Sequence, residues 1–295
     1  MTKYKCERTY IDSNIDRSCK RDRYWKMIGK FLAMTALGSL LLTGCGAKVD
    51  VPDMSSMGTI NVVSREEGSG TKTEFDNLVG TDATRTNTVA ESTDKVISEV
   101  ASDKNAIGYI AYSAENNSGV KALDVDGVAP DAASIEKDKY PLCRDYILVY
   151  NGELSAVAKD FMAYVVADYC VPVKKSETFL SDKSGGTVEI HGSTSAAPIV
   201  SKLAEEYMKI NPAAKILVTE SDSTQGLNDA LQGRCDLGMS SRSLQPYESE
   251  LLTSYVFGRD AIAVIVNSEN TLSDISVDML KKIYDKKYTA WSDLR

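Results

Sequence analysis

The chain carries a strand that runs through four small residues straight into a helix, and it does so more than once. At 60–79 the sequence reads "INVVSREEGSGTKTEFDNLV", and at 187–207 it reads "TVEIHGSTSAAPIVSKLAEEY". A third stretch, "KILVTESDSTQGLNDAL" from Lys215, has an apolar run, then Ser223 and Thr224 as caps, and a helix expected from about Gln225. A strand that opens so abruptly into a helix must lie in a sheet with that helix packed back on it, which is the βα unit of an α/β fold. The first N–H groups of a helix have no intrahelical acceptor, and the helix dipole adds partial positive charge there. Glycine removes the side chain that would hold an anion off, and Ser and Thr add donors, so each junction is a candidate anion seat. The commoner role of a Ser or Thr at such a place is only to cap the helix. Three of them at strand C-terminal ends, where α/β folds place ligands, favour binding. Arg65 adds a charged donor with two-pronged geometry, its plain alternative being an ion pair with Glu66 or Glu67.

The rest of the chain alternates in the same way. Strand-like runs "AIGYIAY", "VKALDVDG", "DYILVYN", "CDLGMS" and "RDAIAVIVN" are interleaved with helical patterns "VISEVASD", "SAVAKDFMAYVVADY" and "VDMLKKIY". This predicts an α/β protein with at least one mostly parallel sheet. "SDKSGGT" at 181–187 reads as a connector between two halves.

The first 45 residues are set apart. "MIGKFLAMTALGSLLLTGC" has a lysine, an apolar run and an ending like the bacterial lipobox, so 1–45 is expected to be a signal sequence with Cys45 as the lipidation site and Met27 as the start. The apolar run is short for a membrane span, which needs about 20 residues. Residues 46–57, "GAKVDVPDMSSM", lack periodicity and are expected to be a flexible tether. The full chain has net charge -8, and 1–44 are net basic, so the remainder is more acidic still. Such a surface disfavours nucleic acid, whose backbone is held largely by Lys and Arg. Cys143, Cys170 and Cys235 are too sparse for a metal cluster or a disulfide framework, though one bridge between two of them is open. The single histidine, His191, leaves Ser-His-Asp triads and His-based metal sites without support. Neither nucleotide motif, G-x-x-x-x-G-K-[ST] or G-x-G-x-x-G, is present, so no cofactor and no enzyme activity are expected.

Several motifs together point to a family. "INVVSREEGSGTKTEF", "HGSTSAAPIVSKLAEEY", "VTESDSTQGLNDAL", "CDLGMSSRSL" and "YTAWSDL" resemble segments of the substrate-binding proteins of bacterial phosphate ABC transporters, and they span nearly all of 58–295. The order is rotated relative to the usual member, in which the "GSTS" segment comes first and "SREEGSGT" follows "WSDL". The chain is then either a fragment across two tandem copies or a circular permutant; one full set of segments with none duplicated favours the permutant.

The resemblance implies a two-lobed periplasmic-binding-protein fold of type II with a hinge. One lobe would be 144–260, the other 58–143 plus 261–295, with "YPLCRDYILVY" and "GRDAIAVIVN" as hinge crossings. It implies phosphate contacts from Arg65, Ser69, Gly70 and Thr71 in the split lobe and from Thr194, Ser195 and Ser223 in the other. Glu67 would orient Arg65. Ser241 stands where many members have an aspartate that accepts the proton of bound phosphate, which would leave discrimination to Asp222 or Glu220 or weaken it. The implied function is capture of inorganic phosphate by a monomeric lipoprotein, anchored on the outer face of the cell membrane, that serves an ABC transporter permease. A surface phosphate sensor or adhesion module, and a carrier of sulfate, molybdate or tungstate, are the other readings.

Overall fold

The computed structural model describes residues 51–81, 88–114, 119–169 and 179–294. The expected signal sequence with Cys45, and Cys170, lie outside the described residues.

In chain order the strands are β1 (Asn61–Arg65), β2 (Thr88–Ala90), β3 (Ala106–Ala111), β4 (Val120–Ala122), β5 (Asp124–Val125), β6 (Cys143–Tyr150), β7 (Gly186–Ser193), β8 (Ala214–Ser221), β9 (Leu237–Ser240), β10 (Thr253–Asn267) and β11 (Asp274–Ile275). The helices are α1 (Gly70–Val79), α2 (Thr93–Ser102), α3 (Ala132–Glu136), α4 (Ala156–Tyr169), α5 (Ala197–Ile210), α6 (Ser223–Leu231), α7 (Pro246–Leu251) and α8 (Val277–Tyr284).

The main sheet runs β2-β1-β3-β10-β6-β9-β7-β8, and β4 also pairs with β10. At one end β1 is parallel to β2 and β3. At the other, β7 is parallel to β8 and β9. Between these parallel groups lie β6 and β10, antiparallel to each other and to their outer neighbours. β10 is 15 residues long because its first part pairs with β6 and its second with β3. A register shift between Val256 and Gly258 interrupts the β6 pairing, the kind of bulge that bends a strand.

The apolar interior changes over along these two strands. One group of buried side chains draws on residues up to Leu142 and from Ala261 onward, among them Phe75, Tyr109, Val264, Tyr284 and Trp291. The other draws on Tyr146 to Phe257, among them Phe161, Val188, Leu203 and Tyr207. Two cores therefore share β6 and β10 as the connections between them.

The first core fixes where α1 begins. Phe75 of α1 stacks on Tyr109 of β3 with ring centroids 4.0 Å apart, and Tyr284 of α8 leans on both. Such pairs add about 0.5–1.5 kcal/mol each beyond the area they bury. Tyr109 also holds the end of β1: its hydroxyl lies 2.7 Å from Ser64 Oγ and accepts from the Arg65 N–H at 3.3 Å. Ser69 caps α1 by accepting from Lys72 N, and Gly80, at φ 74, closes its far end.

Two expectations change here. The third junction's helix begins at Ser223, and its cap is Asp222, whose Oδ1 accepts from Gln225 N at 2.8 Å. Asp reaches the first-turn N–H groups as well as Ser or Thr does, so the helix starts one cap earlier. The segment expected as a tether is tied down in its second half: Met54 is fully buried in the first core, and Gly58 N donates to Asn105 Oδ1. Met54 is apolar and its neighbours are polar, so a single anchoring side chain gives no periodicity to read. Met54→Ala is expected to lower unfolding free energy by about 2–5 kcal/mol in urea denaturation. A free tether would leave the midpoint unmoved.

Candidate anion-binding site

The ends of β1, β7, β8 and β9 and the starts of α1, α5 and α6 supply one hydrogen-bonded cluster. Arg65, the last residue of β1, is 3% exposed. Its Nη2 donates to Thr194 Oγ1 (3.4 Å), in the turn between β7 and α5, and its Nη1 donates to Thr93 Oγ1 (3.4 Å). Thr71 Oγ1 lies 3.0 Å from Ser195 Oγ. Ser193 Oγ donates to Ser241 Oγ (2.9 Å), and Ser241 N donates to Ser223 Oγ (3.1 Å). Thr71, Ser195, Ser223 and Ser241 are all buried. The hydroxyls thus come from both cores' elements and are in direct contact where those elements adjoin.

Two glycines permit that meeting. A Cβ on Gly70, at the start of α1, would stand 2.1 Å from Ser223 Oγ and 2.7 Å from Ser241 Oγ, so only glycine lets the two helix starts approach. Gly68 sits at φ +89, and a Cβ there would lie 2.8 Å from Asp222 Oδ1. Its carbonyl accepts from Thr224 N.

Of the residues expected from the sequence, Arg65, Gly70, Thr71, Thr194, Ser195, Ser223 and Ser241 are brought together. Ser69 lies beside them with its hydroxyl used as the α1 cap. Asp222 likewise serves as the α6 cap. The acidic partner of Arg65 requires a correction: it is Glu66, not Glu67. Arg65 Nε donates to Glu66 Oε2 (2.8 Å) and Nη2 to Oε1 (2.9 Å), a two-pronged pair. The Glu67 side chain is 86% exposed and pairs with Lys72 Nζ.

The sequence reading did not single out Arg144, Asp260 or Arg242. Arg144, on β6, is buried and donates from Nη1 to Thr71 Oγ1 at 2.7 Å and to the Ser241 carbonyl at 3.4 Å. Its Nη2 donates to Asp260 Oδ2 at 3.3 Å, across the β6–β10 pairing, and to Tyr146 OH at 3.4 Å. Tyr146 OH donates to the same Asp260 oxygen at 2.6 Å. An Arg-Asp pair at the start of each of two otherwise apolar runs, "CRDYILVY" and "RDAIAVIVN", is the available signal. Arg242, next to Ser241, is locked away: Nη1 and Nη2 donate to Glu248 Oε2 and Oε1 at 2.8 and 2.9 Å, and both residues are buried. That pair fixes the loop carrying Ser241.

Elsewhere, His191 Nδ1 lies 2.8 Å from Asp229 Oδ2. Cys143 and Cys235 are free thiols, and burial pushes Cys235 up to about 12, far from a nucleophile's range. Among the described residues no group of three His, Cys, Asp or Glu side chains is placed to hold a metal.

Two cores joined by two crossing strands, with hydroxyls, helix starts and a guanidinium gathered between them, define a solute-binding protein of the hinged α/β kind. The chain belongs to the PBP superfamily, whose domain matches residues 50–169 and 178–295. It is 34% identical over 291 residues to the phosphate-binding protein PstS 2 of Streptococcus pneumoniae serotype 4, covering 90% of this chain and 100% of that one. To PstS 2 of Streptococcus agalactiae serotype V it is 33% identical, over 91% of this chain and 98% of that one. A crystal structure of a phosphate-binding protein of a phosphate ABC transporter from S. pneumoniae superposes with a TM-score of 0.64 at 35% identity, covering 81% of this chain and all of that one.

The Arg242–Glu248 pair generates a pH prediction. Burial works against the Glu248 carboxylate, but the hydrogen bonds from Arg242 and the Gln245 backbone hold it below its ordinary 4.5. Since the folded-state value is the lower one, the pair's stabilisation is complete above 4.5 and is lost as pH falls through the folded-state value. Glu248→Ala is expected to cost about 3–5 kcal/mol at neutral pH by leaving Arg242 buried and unmatched. Denaturation series at neutral and acid pH should show the variant's deficit shrinking on the acid side.

Proposed function

We propose that this protein captures inorganic phosphate between its two lobes and delivers it to the permease of an ABC transporter. The observation that carries the reading is the convergence of the starts of α1, α5 and α6, with Arg65, on one place: these supply N–H and O–H donors to a tetrahedral oxyanion from both sides at once. The relatives' names, phosphate-binding protein PstS 2, agree with that chemistry. Binding by both lobes favours the closed arrangement of the hinge, which is how a permease would distinguish loaded from empty carrier. The work done at the site is hydrogen bonding, not catalysis.

In this reading the lobes are 144–260 and 58–143 with 261–295, β6 and β10 are the hinge, and the protein acts as a monomer on the outer face of the membrane, held by a lipid on Cys45. No helix among the described residues is long and apolar enough to cross a membrane. The rotated segment order is read as a circular permutation. Its support is that the two ends of the folded body lie side by side: Ile60 N donates to the Thr289 carbonyl, and Trp291 N donates to the Gly58 carbonyl. The S. pneumoniae relative aligns over its whole length with 90% of this chain.

Calorimetric titration of the full chain with phosphate is expected to give one site per monomer, and Arg65→Ala to weaken it by at least about a hundredfold, the loss of a charge-assisted pair of bonds. Unchanged affinity in that variant would sink the assignment. Separately, Cys45→Ala should move the protein from the membrane to the soluble fraction of cells; membrane retention would remove the lipid anchor from the reading.

A further inference from the structure

We propose that Glu74, on α1, and Ser243, in the loop between β9 and α7, form a latch between the two lobes: a contact that favours the closed arrangement and slows release of the anion without touching it. The proposal rests on the phosphate-binding reading above and adds to it a pair of residues that set how long the ligand is held.

Glu74 is the fifth residue of α1 and lies three beyond Thr71, so the two side chains share a helix face. Its neighbour Phe75 belongs to the first core. The Glu74 carboxylate is buried, and both of its oxygens receive from one residue of the other lobe: Oε2 from Ser243 N at 3.1 Å and Oε1 from Ser243 Oγ at 3.3 Å. Among the described residues these are the hydrogen bonds that the carboxylate receives. A buried carboxylate is costly unless it is hydrogen-bonded, and here the donors stand on the far side of the lobe boundary.

Ser243 is held in place by its own lobe. Arg242 Nη1 donates to the Ser243 carbonyl at 3.0 Å and to Glu248 Oε2 at 2.8 Å, and Ser240 Oγ donates to the Arg242 carbonyl at 2.9 Å. On its other side Leu244 packs against the second core. The N–H and O–H of Ser243 are therefore fixed donors on one lobe, and Glu74 is the acceptor on the other.

Other bonds cross between the lobes, and they differ in kind. Arg65–Thr194 and Thr71–Ser195 are made by groups of the anion seat, so an anion competes for them. Thr224 N to the Gly68 carbonyl is a backbone contact. Glu74 and Ser243 are bonded to each other and not to the seat hydroxyls, so their contact does not depend on the ligand. Glu74 and Ser243 also line, with Arg144, Asp145 and Arg259, an open cavity of about 320 Å³, which is room for several waters. Water can thus take the place of each partner when the lobes part, and the bond is made on closing and exchanged on opening. A contact present only in the closed arrangement raises the closed fraction, and apparent affinity scales with that fraction.

The test uses the full chain and inorganic phosphate, with affinity from calorimetry and release rate from a rapid chase of bound radiolabelled phosphate. Glu74→Ala is expected to weaken phosphate about tenfold and to speed its release by about the same factor, leaving association within about threefold, since the change falls on leaving the closed arrangement. Glu74→Gln keeps one acceptor oxygen and should recover part of the loss. Ser243→Ala removes the O–H and keeps the N–H, at a cost of about threefold. In the double variant, Ser243→Ala should add no further loss, because its partner is already gone. A role of Glu74 confined to the shape of α1 would instead give independent losses that multiply. Unchanged or tighter phosphate binding in Glu74→Ala, or multiplying losses in the double variant, would overturn the latch and leave the seat standing. If Glu74→Ala does not fold, the same cycle run with Glu74→Gln decides the matter. No phosphate binding by the unaltered chain would overturn the phosphate reading itself, and with it the latch's part in holding the ligand.

Discussion

Three helices of this protein begin within hydrogen-bonding reach of one another, and everything else at the site accommodates that. The first turn of each helix carries N–H groups without intrahelical acceptors, and the aligned peptide dipoles make the place positive. Oxygen atoms must therefore be plentiful there, and they are: Thr71, Ser193, Thr194, Ser195, Ser223 and Ser241 bring a hydroxyl each. Side-chain bulk must also be absent, and Gly70 meets that need, since any Cβ would strike Ser223 and Ser241. The packing far from the site serves the same end. The Phe75–Tyr109–Tyr284 cluster orients α1, and the Tyr109 hydroxyl ties the end of β1 to it.

The second constraint is electrical. Three arginines lie buried near this junction, and each has its own acid: Arg65 with Glu66, Arg144 with Asp260, Arg242 with Glu248. An unmatched buried charge costs several kcal/mol, so such pairs come as units. They differ in purpose. The Arg242–Glu248 pair is closed on both sides, with two short bonds and almost no exposure, and it holds the loop bearing Ser241. The Arg144–Asp260 pair is strung between the two strands that connect the cores, and its guanidinium reaches Thr71 of one core's helix and the Ser241 carbonyl of the other's loop. Those contacts bridge the two cores, as do Arg65–Thr194 and Thr71–Ser195.

How much of this is legible in the sequence follows from range. The strand–turn–helix junctions are local patterns, written in consecutive residues, so their glycines and hydroxyls can be named from the order of residues alone. The choice between Glu66 and Glu67 cannot. Arg65 ends β1, and whether its neighbour or the next acid folds back on it depends on where the chain turns into α1, where Lys72 claims Glu67 instead. Arg144 and Asp260 are 116 residues apart, and only the pairing of β6 with β10 makes them partners. Their signature is a charge placed where an apolar strand should have none. Met54 is hidden for the opposite reason: one buried side chain in a polar stretch has no period.

The same distinction explains why the order of segments matters little to a site of this kind. Each contributor is complete within its own strand end and helix start, so the chain can visit the junctions in any sequence, provided that the sheet brings the strand ends together. What must be kept is the pair of crossing strands, because among the described residues the chain passes between the cores along β6 and β10, which carry Arg144 and Asp260. The ends of the folded body, by contrast, meet through backbone bonds between residues 58–60 and 289–291. A break at that place interrupts neither a junction nor a crossing, and it leaves the relation between the two cores to β6 and β10.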